Sequence, residues 1–182
     1  GRYVLLPGDP ARCEKIACYF DDAHFVAQNR EYVSWTGTLL GEKVSAVSTG
    51  IGCPSTAIAV EELIEAGADT FIRVGSSGSM QSYVHSGDVV VVSAAIRDEG
   101  TSSHYLPIEF PAVADIEVVN ALKEGARRLG FRNHTGIAHS KDSFYGEVER
   151  TRMPLADELG ARWKAFIAGG AVCSEMESAA LF

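Results

Sequence analysis

The 182-residue chain is 46% hydrophobic and 22% charged, a composition that supports one globular domain able to bury a core without disulfide or metal staples. Its net charge of −8 argues against nucleic acid or an anionic membrane as a partner, because both demand a broad basic surface. The four cysteines show no metal-ligand spacing and no apolar run reaches the length of a membrane span, so a reduced, cytoplasmic setting is expected.

Tyr3-Val4-Leu5-Leu6 reads as a short strand, broken by Pro7-Gly8-Asp9-Pro10 ahead of a helix over 11–20. Arg12 falls in the first turn of that helix, where a cation opposes the helix dipole. An anion shared with the helix N-terminus explains it, and an exposed pair with Asp9 or Glu14 is the alternative. Residues 24–48 alternate in the manner of strands, the last two joined at Gly41-Glu42 as an antiparallel hairpin, and Asn29-Arg30-Glu31 reads as a solvated turn. Thr49-Gly50-Ile51-Gly52-Cys53-Pro54-Ser55 is a Gly-rich turn before an amphipathic helix over 55–66.

The next strand carries Phe71, Ile72 and Val74, and it turns at Gly75-Ser76-Ser77-Gly78, leaving backbone N–H groups and two hydroxyls to face outward. Arg73 makes this turn unusual, since a guanidinium on an apolar strand needs a partner to offset its desolvation. If the strands before Thr49 and Gly75 are parallel, both turns lie at the carboxyl edge where open α/β sheets bind ligands.

A strand over 89–95 leads into Arg97-Asp98-Glu99-Gly100 and a Pro-containing loop over 101–111 able to cover a cleft. A helix over 114–129 ends at Arg127, Arg128 and Gly130. A strand over 134–139 runs into Ser140-Lys141-Asp142-Ser143-Phe144-Tyr145-Gly146, and a helix over 155–168 follows. A short strand over 171–173 precedes Ser174-Glu175-Met176-Glu177, which reads as the opening of a final helix. Strands alternating with helices, plus one hairpin, predict a three-layer α/β sandwich with a central mixed, largely parallel sheet, forming a single domain over 1–182. The start in a strand and the stop at Phe182 within an apolar helix carry the expectation of truncation at both ends.

Several strand-end turns thus carry polar groups. Gly8, Arg12 and the turn at Arg73 supply cations and N–H donors for an oxyanion; Glu175 and Glu177 supply carboxylates, useful beside an anion when they bind hydroxyls. Phe144 and Tyr145 offer a flat wall for a ring. Phosphate, polyol and ring together spell nucleoside plus phosphate.

LPGDPARCEKIA, NREY, STGIGCPSTAIAVEEL, FIRVGSSG, SGDVVVVSAAIRDEG, PIEFPAVAD, DSFYGEVER and SEMESAALF follow one another along nearly the whole chain. In that order they resemble the nucleoside phosphorylases of the purine nucleoside and uridine phosphorylase type, with RDEG and PIEFPAVAD closest to the uridine branch. The resemblance implies a pentosyltransferase of nucleoside salvage that uses inorganic phosphate as co-substrate and needs no cofactor. It implies phosphate binding by Gly8, Arg12, Arg73 and Ser76, with Arg30 contributed from a neighbouring subunit, so that a dimer is the minimal active unit. Glu175, Met176 and Glu177 match the ribose-binding motif, and Phe144 the position that stacks on the base. Glu31, Ile51 and Ser55 match positions that in some members hold a cation across the dimer interface.

The stretch Gly146-Glu147-Val148-Glu149-Arg150-Thr151-Arg152 departs from the family's uracil site, which usually places Gln and Arg two residues apart. A gapless reading puts Val148 at the Gln and Arg150 at the Arg, while a shifted one offers Glu147 and Arg152. Valine cannot bind an amide edge, and a carboxylate only accepts. Arg73, Arg150 and Glu177 are the residues expected to carry the reaction. Uridine phosphorolysis is the first reading, purine nucleoside phosphorolysis the second, and a nucleoside hydrolase or a non-catalytic nucleoside-binding module stand behind them.

Overall fold

A computed structural model describes all residues, Gly1–Phe182. The chain divides into two compact units, Gly1–Ser76 with Leu181, and Ser77–Ala180 with Phe182.

The first unit contains strands β1 (Tyr3–Pro7), β2 (Asp21–Asn29), β3 (Tyr32–Leu39), β4 (Glu42–Val47) and β5 (Thr70–Val74), with helices α1 (Ala11–Ala17) and α2 (Cys53–Glu65). Its five-stranded sheet runs β2-β3-β4-β1-β5. The first three of these form an antiparallel meander, and β1 pairs parallel with both β4 and β5. Alternation along β1 explains the layering. Tyr3 and Leu5 pack with Cys13, Ile16 and Ala17 of α1. Val4 and Leu6 pack on the opposite face with Val60 and Leu63 of α2. Burying both faces of β1 between helices is what a parallel strand requires.

The second unit contains β6 (Gly78–Ser79), β7 (Val89–Asp98), β8 (Ala112–Val113), β9 (Asn133–Lys141) and β10 (Cys173–Glu175). Its helices are α3 (Ile116–Arg128), α4 (Phe144–Val148) and α5 (Ala156–Ala168), and α6 (Ser178–Leu181) follows β10. The sheet runs β6-β10-β9-β7-β8, parallel in its three central strands and antiparallel at both edges. Ala138, Val172 and Cys173 form a core with Val90 and Val92. Asp115 caps α3, its Oδ1 accepting from the N–H groups of Glu117 and Val118 at 2.9 and 3.0 Å. The loop after β7 is folded around Arg97, whose guanidinium donates to the carbonyls of Leu106, Pro107 and Phe110 and to Ser102 Oγ.

The expected α/β architecture of mixed sheets flanked by helices is present, with the strands hydrogen-bonded as two sheets. The end of the chain differs from its sequence-based reading. The last strand is Cys173–Glu175, and the helix begins only at Ser178. Ser174 is held in the sheet by register with His139 on one side and Gly78 on the other, which keeps Ser174-Glu175 extended.

Candidate active site

Because β1, β4 and β5 are parallel neighbours, their carboxyl ends share one edge, as expected for the turns at Thr49 and Gly75. Arg73 crosses that edge. Its Nη1 donates to Thr49 Oγ1 at 2.8 Å and to the Leu6 carbonyl at 3.3 Å, so one guanidinium ties together the ends of three strands. Thr49 is fully buried. Gly8 lies against the same group: a Cβ there would stand 3.0 Å from Arg73 Nη2 and 3.1 Å from the Gly50 carbonyl. Gly50, at φ +70°, donates its N–H to the Gly8 carbonyl at 3.0 Å, and a Cβ on it would meet Glu31 Cγ at 2.7 Å.

Arg12 and Ser76 occupy the segments that leave this edge after β1 and β5. Arg12 forms no ion pair with Asp9 or Glu14; the Asp9 carboxylate accepts the Ala11 N–H at 2.9 Å instead. Arg30 sits at φ +53° between β2 and β3, exposed and without a hydrogen bond or ion pair in its own chain. Ser55 Oγ donates to the Ile51 carbonyl at 3.0 Å, which brings that pair together, while the Glu31 side chain lies over Gly50.

In the second unit, Glu175 folds back on the start of α6. Its Oε2 accepts the N–H groups of Glu177 and Ser178 at 2.7 and 2.8 Å, and its Oε1 is buried without any hydrogen-bond partner. The Glu177 carboxylate is buried and accepts the Met176 N–H at 3.3 Å.

The residues assigned to the base are divided by the structure. Ser143 caps α4 through the Gly146 N–H at 3.0 Å, and α4 carries both Phe144 and Glu147. A cavity of about 160 Å³ is lined by His139, Lys141, Glu147, Arg150, Trp163 and Phe166 among others, so Glu147 and Arg150 are brought to one place. Arg150 donates to the Glu147 carbonyl at 2.8 Å and lies over the Trp163 ring at 5.6 Å. Phe144 and Arg152 do not line that cavity. Phe144 is exposed and meets Tyr145 edge-on, while Arg152 pairs with Glu149 at 2.8 Å and covers the Tyr145 ring.

Behind Glu147 runs a polar chain that the sequence reading missed. Lys141 Nζ lies 2.7 Å from Glu147 Oε2 and donates to Ser174 Oγ at 2.6 Å; Ser174 Oγ in turn donates to Glu147 Oε2 at 2.5 Å. His139 Nε2 donates to Asp98 Oδ2 at 2.8 Å, and Arg162 pairs with the other Asp98 oxygen. The hydrogen bond from His139 chiefly holds the Asp98 carboxyl below its ordinary range, against the opposing effect of burial. A histidine and a lysine closing β9, whose last four residues are buried, were the available signal, since such groups carried into a sheet need carboxylate partners.

The sequence model of the phosphorylase superfamily matches residues 2–182. Uridine phosphorylase of Treponema pallidum is 56% identical over 182 residues, covering 100% of this chain and 70% of the relative. Uridine phosphorylase of Escherichia coli is 43% identical over 181 residues, 98% of this chain and 72% of the relative. A guanosine phosphorylase of Halorubrum lacusprofundi is 40% identical over 179 residues, 98% of this chain and 70% of the relative.

Proposed function

The chain belongs to the phosphorylase superfamily, and from that premise we propose that it catalyses reversible phosphorolysis of uridine to uracil and ribose 1-phosphate. The observation that carries this reading is the Arg73 guanidinium, held across three strand ends beside Gly8 by Thr49 and the Leu6 carbonyl. A cation fixed at a ligand-binding sheet edge, with little freedom left to lose, is suited to an oxyanion. Conversion of a nucleoside by phosphate is the activity named for the uridine phosphorylases it resembles.

In this reading the 182 residues work as one phosphorylase domain. Phosphate is the co-substrate, bound by Gly8, Arg12, Arg73 and Ser76, and no cofactor takes part. Cleavage of the N-glycosidic bond leaves positive charge on the sugar, so the transition state is oxocarbenium-like. Phosphate then serves as nucleophile and as counter-charge, and the protein needs no covalent nucleophile. Glu177 holds the ribose diol, and the buried, unpartnered Oε1 of Glu175 is an acceptor for a sugar hydroxyl. Met176 packs on the sugar, Phe144 on the base face, and Arg150 offsets negative charge on the departing base.

Arg30, exposed and unpaired, is donated to the phosphate of a second copy, making a dimer the smallest active unit. Glu31, the Ile51 carbonyl and Ser55 Oγ form an all-oxygen donor set that fits a hard cation at that interface. The four free cysteines fit a cytoplasmic setting, and no helix is long and apolar enough to cross a membrane.

A purine substrate is the second reading, favoured by Val148 at the family's Gln position and by a carboxylate, Glu147, in the cavity. The resemblance to a guanosine phosphorylase points the same way. Incubation with uridine or inosine, with and without phosphate, decides among these. Phosphate-dependent uracil release is expected. Preference for inosine selects the purine reading, phosphate-independent release a hydrolase, and binding without turnover a nucleoside-binding module.

A further inference from the structure

The ion pair between Lys141 and Glu147 is an expensive feature for the fold alone. Lys141 is 6% exposed, and a buried ion pair gains little over apolar packing of the same shape because both charges must be desolvated. Ser174 adds geometric control. Lys141 occupies the Ser174 oxygen as a donor, so the hydroxyl hydrogen is turned toward Glu147 Oε2. Ser174 is fixed by its register beside His139, and Lys141 ends the same strand as His139. Both donors reach the same oxygen, Oε2, while Oε1 accepts no hydrogen bond from the chain. Arg150, attached to the Glu147 carbonyl, adds a cation to the same cavity.

We propose, resting on the nucleoside reading above, that Lys141 and Ser174 are positioning residues that hold Glu147 as an anionic acceptor with Oε1 presented to the ring N–H of an oxo-base. Glu147 thereby replaces the amide that Val148 cannot supply. Uracil, hypoxanthine and guanine each carry a ring N–H beside a carbonyl, which gives Glu147 its donor and Arg150 its acceptor. Cytosine and adenine present a bare ring nitrogen at that place, so acceptor would face acceptor. The Lys141 clamp therefore selects oxo-bases over amino-bases and leaves ring size to other groups.

The test compares uridine with cytidine, and inosine with adenosine, in phosphorolysis by the wild-type enzyme and variants. A site built around a substrate N–H rejects its analogue by about 10⁴-fold, the ratio expected for the wild type. Lys141→Met should lower kcat/KM for uridine by about 10²-fold, through nucleoside KM and with the phosphate KM unchanged, as for a lost hydrogen bond to a charged group. Lys141→Arg should recover uridine activity to within about tenfold, since it keeps the donor and the charge. Glu147→Gln, which adds a donor, should narrow the uridine-to-cytidine ratio to below about 10².

Lys141→Met leaves a buried carboxylate unpaired and can fail to fold, so the double variant Lys141→Met/Glu147→Gln, free of that charge, accompanies it. It should melt like the wild type, keep the phosphate KM and lose the oxo-base preference. Wild-type nucleoside KM in Lys141→Met, or an intact uridine-to-cytidine ratio in the double variant, overturns this inference while leaving the proposed function standing. A wild-type enzyme that releases base from neither uridine nor inosine overturns both.

Discussion

Arg73 Nη1 and Thr49 Oγ1 are 2.8 Å apart, joining the end of β5 to the segment after β4 across the end of β1. The guanidinium is thereby aimed before any ligand arrives. Removing it should cost what loss of a preorganised oxyanion donor costs, about 10² to 10³ in turnover. Arg73→Ala assayed at saturating uridine and phosphate checks this, and near-normal turnover would sink the assignment of this edge to phosphate.

Thr49→Val separates aim from charge. Valine matches the shape of a fully buried threonine but offers Arg73 no acceptor. A hydrogen bond to a charged group is worth about 1.5–3 kcal/mol, so a rise of about tenfold or more in phosphate KM is expected, with the uridine KM little changed. Gly8→Ala should act in the same direction, because its Cβ would stand 3.0 Å from Arg73 Nη2 and push the guanidinium away. Equal changes in both KM values would assign these residues a general structural part.

Much of the first unit was legible because its signals are local. Pro7-Gly8, Gly41-Glu42 and Gly75 punctuate apolar runs, and alternation along β1 sorts Tyr3 and Leu5 from Val4 and Leu6. The carboxyl edge followed from two Gly-rich turns, given parallel strands. Pairing order was not legible, since hydrogen bonds between β1, β4 and β5 leave no mark in the order of residues. At β10 the reading slipped by two residues. Ser174-Glu175-Met176-Glu177 has the look of a helix start, and tertiary pairing with β9 and β6 overrode that local preference. Lys141 stands out in the sequence, but its partners do not, for the same reason: its bond to Ser174 joins residues 33 apart in sequence through strand register. The resemblance points to Phe144 and the shifted reading of 146–152 to Arg152, and both side chains stand outside the cavity that Glu147 and Arg150 line.

The thiols should divide by burial. Cys13 and Cys173 are buried, which pushes both thiols up, Cys173 to about 11. The thiolate is the reactive form, so neither should react in the native state near pH 8. Cys18 is exposed. Iodoacetamide followed by peptide mass spectrometry should find Cys18 labelled alone in the native protein and all four in denaturant. Native labelling of Cys173 would contradict the packing of β10.

Acid should weaken the second unit through Asp98. Its folded pKa lies below the unfolded value, mainly through the hydrogen bond from His139 and secondarily through the Arg162 charge, with burial opposing. A depressed carboxyl contributes stability that is complete above the unfolded value, about 3.9, and is lost as pH falls through the folded one. Asp88 has the same sign through the His85 N–H and His134. Melting temperature should therefore fall as pH drops from 5 to 3, and Asp98→Asn should flatten part of that limb. An unchanged acid limb in the variant would show that the native pair with His139 does not form.

Glu175 should matter twice, and the two effects are separable. Its Oε2 accepts the Glu177 and Ser178 N–H groups at the start of α6, so Glu175→Ala removes a cap and should cost about 1–2 kcal/mol of stability. Its Oε1 is buried without a partner, a condition costing about 1–3 kcal/mol that a sugar hydroxyl would relieve. Uridine should therefore raise the melting temperature of the wild-type protein, and 2′,3′-dideoxyuridine should do so much less. In Glu175→Ala the difference between the two nucleosides should shrink along with the cap. Glu175→Gln keeps an oxygen for the cap, so it should recover most of the stability while retaining a raised uridine KM. A Gln variant that restored both would make Glu175 a cap alone and leave the diol to Glu177.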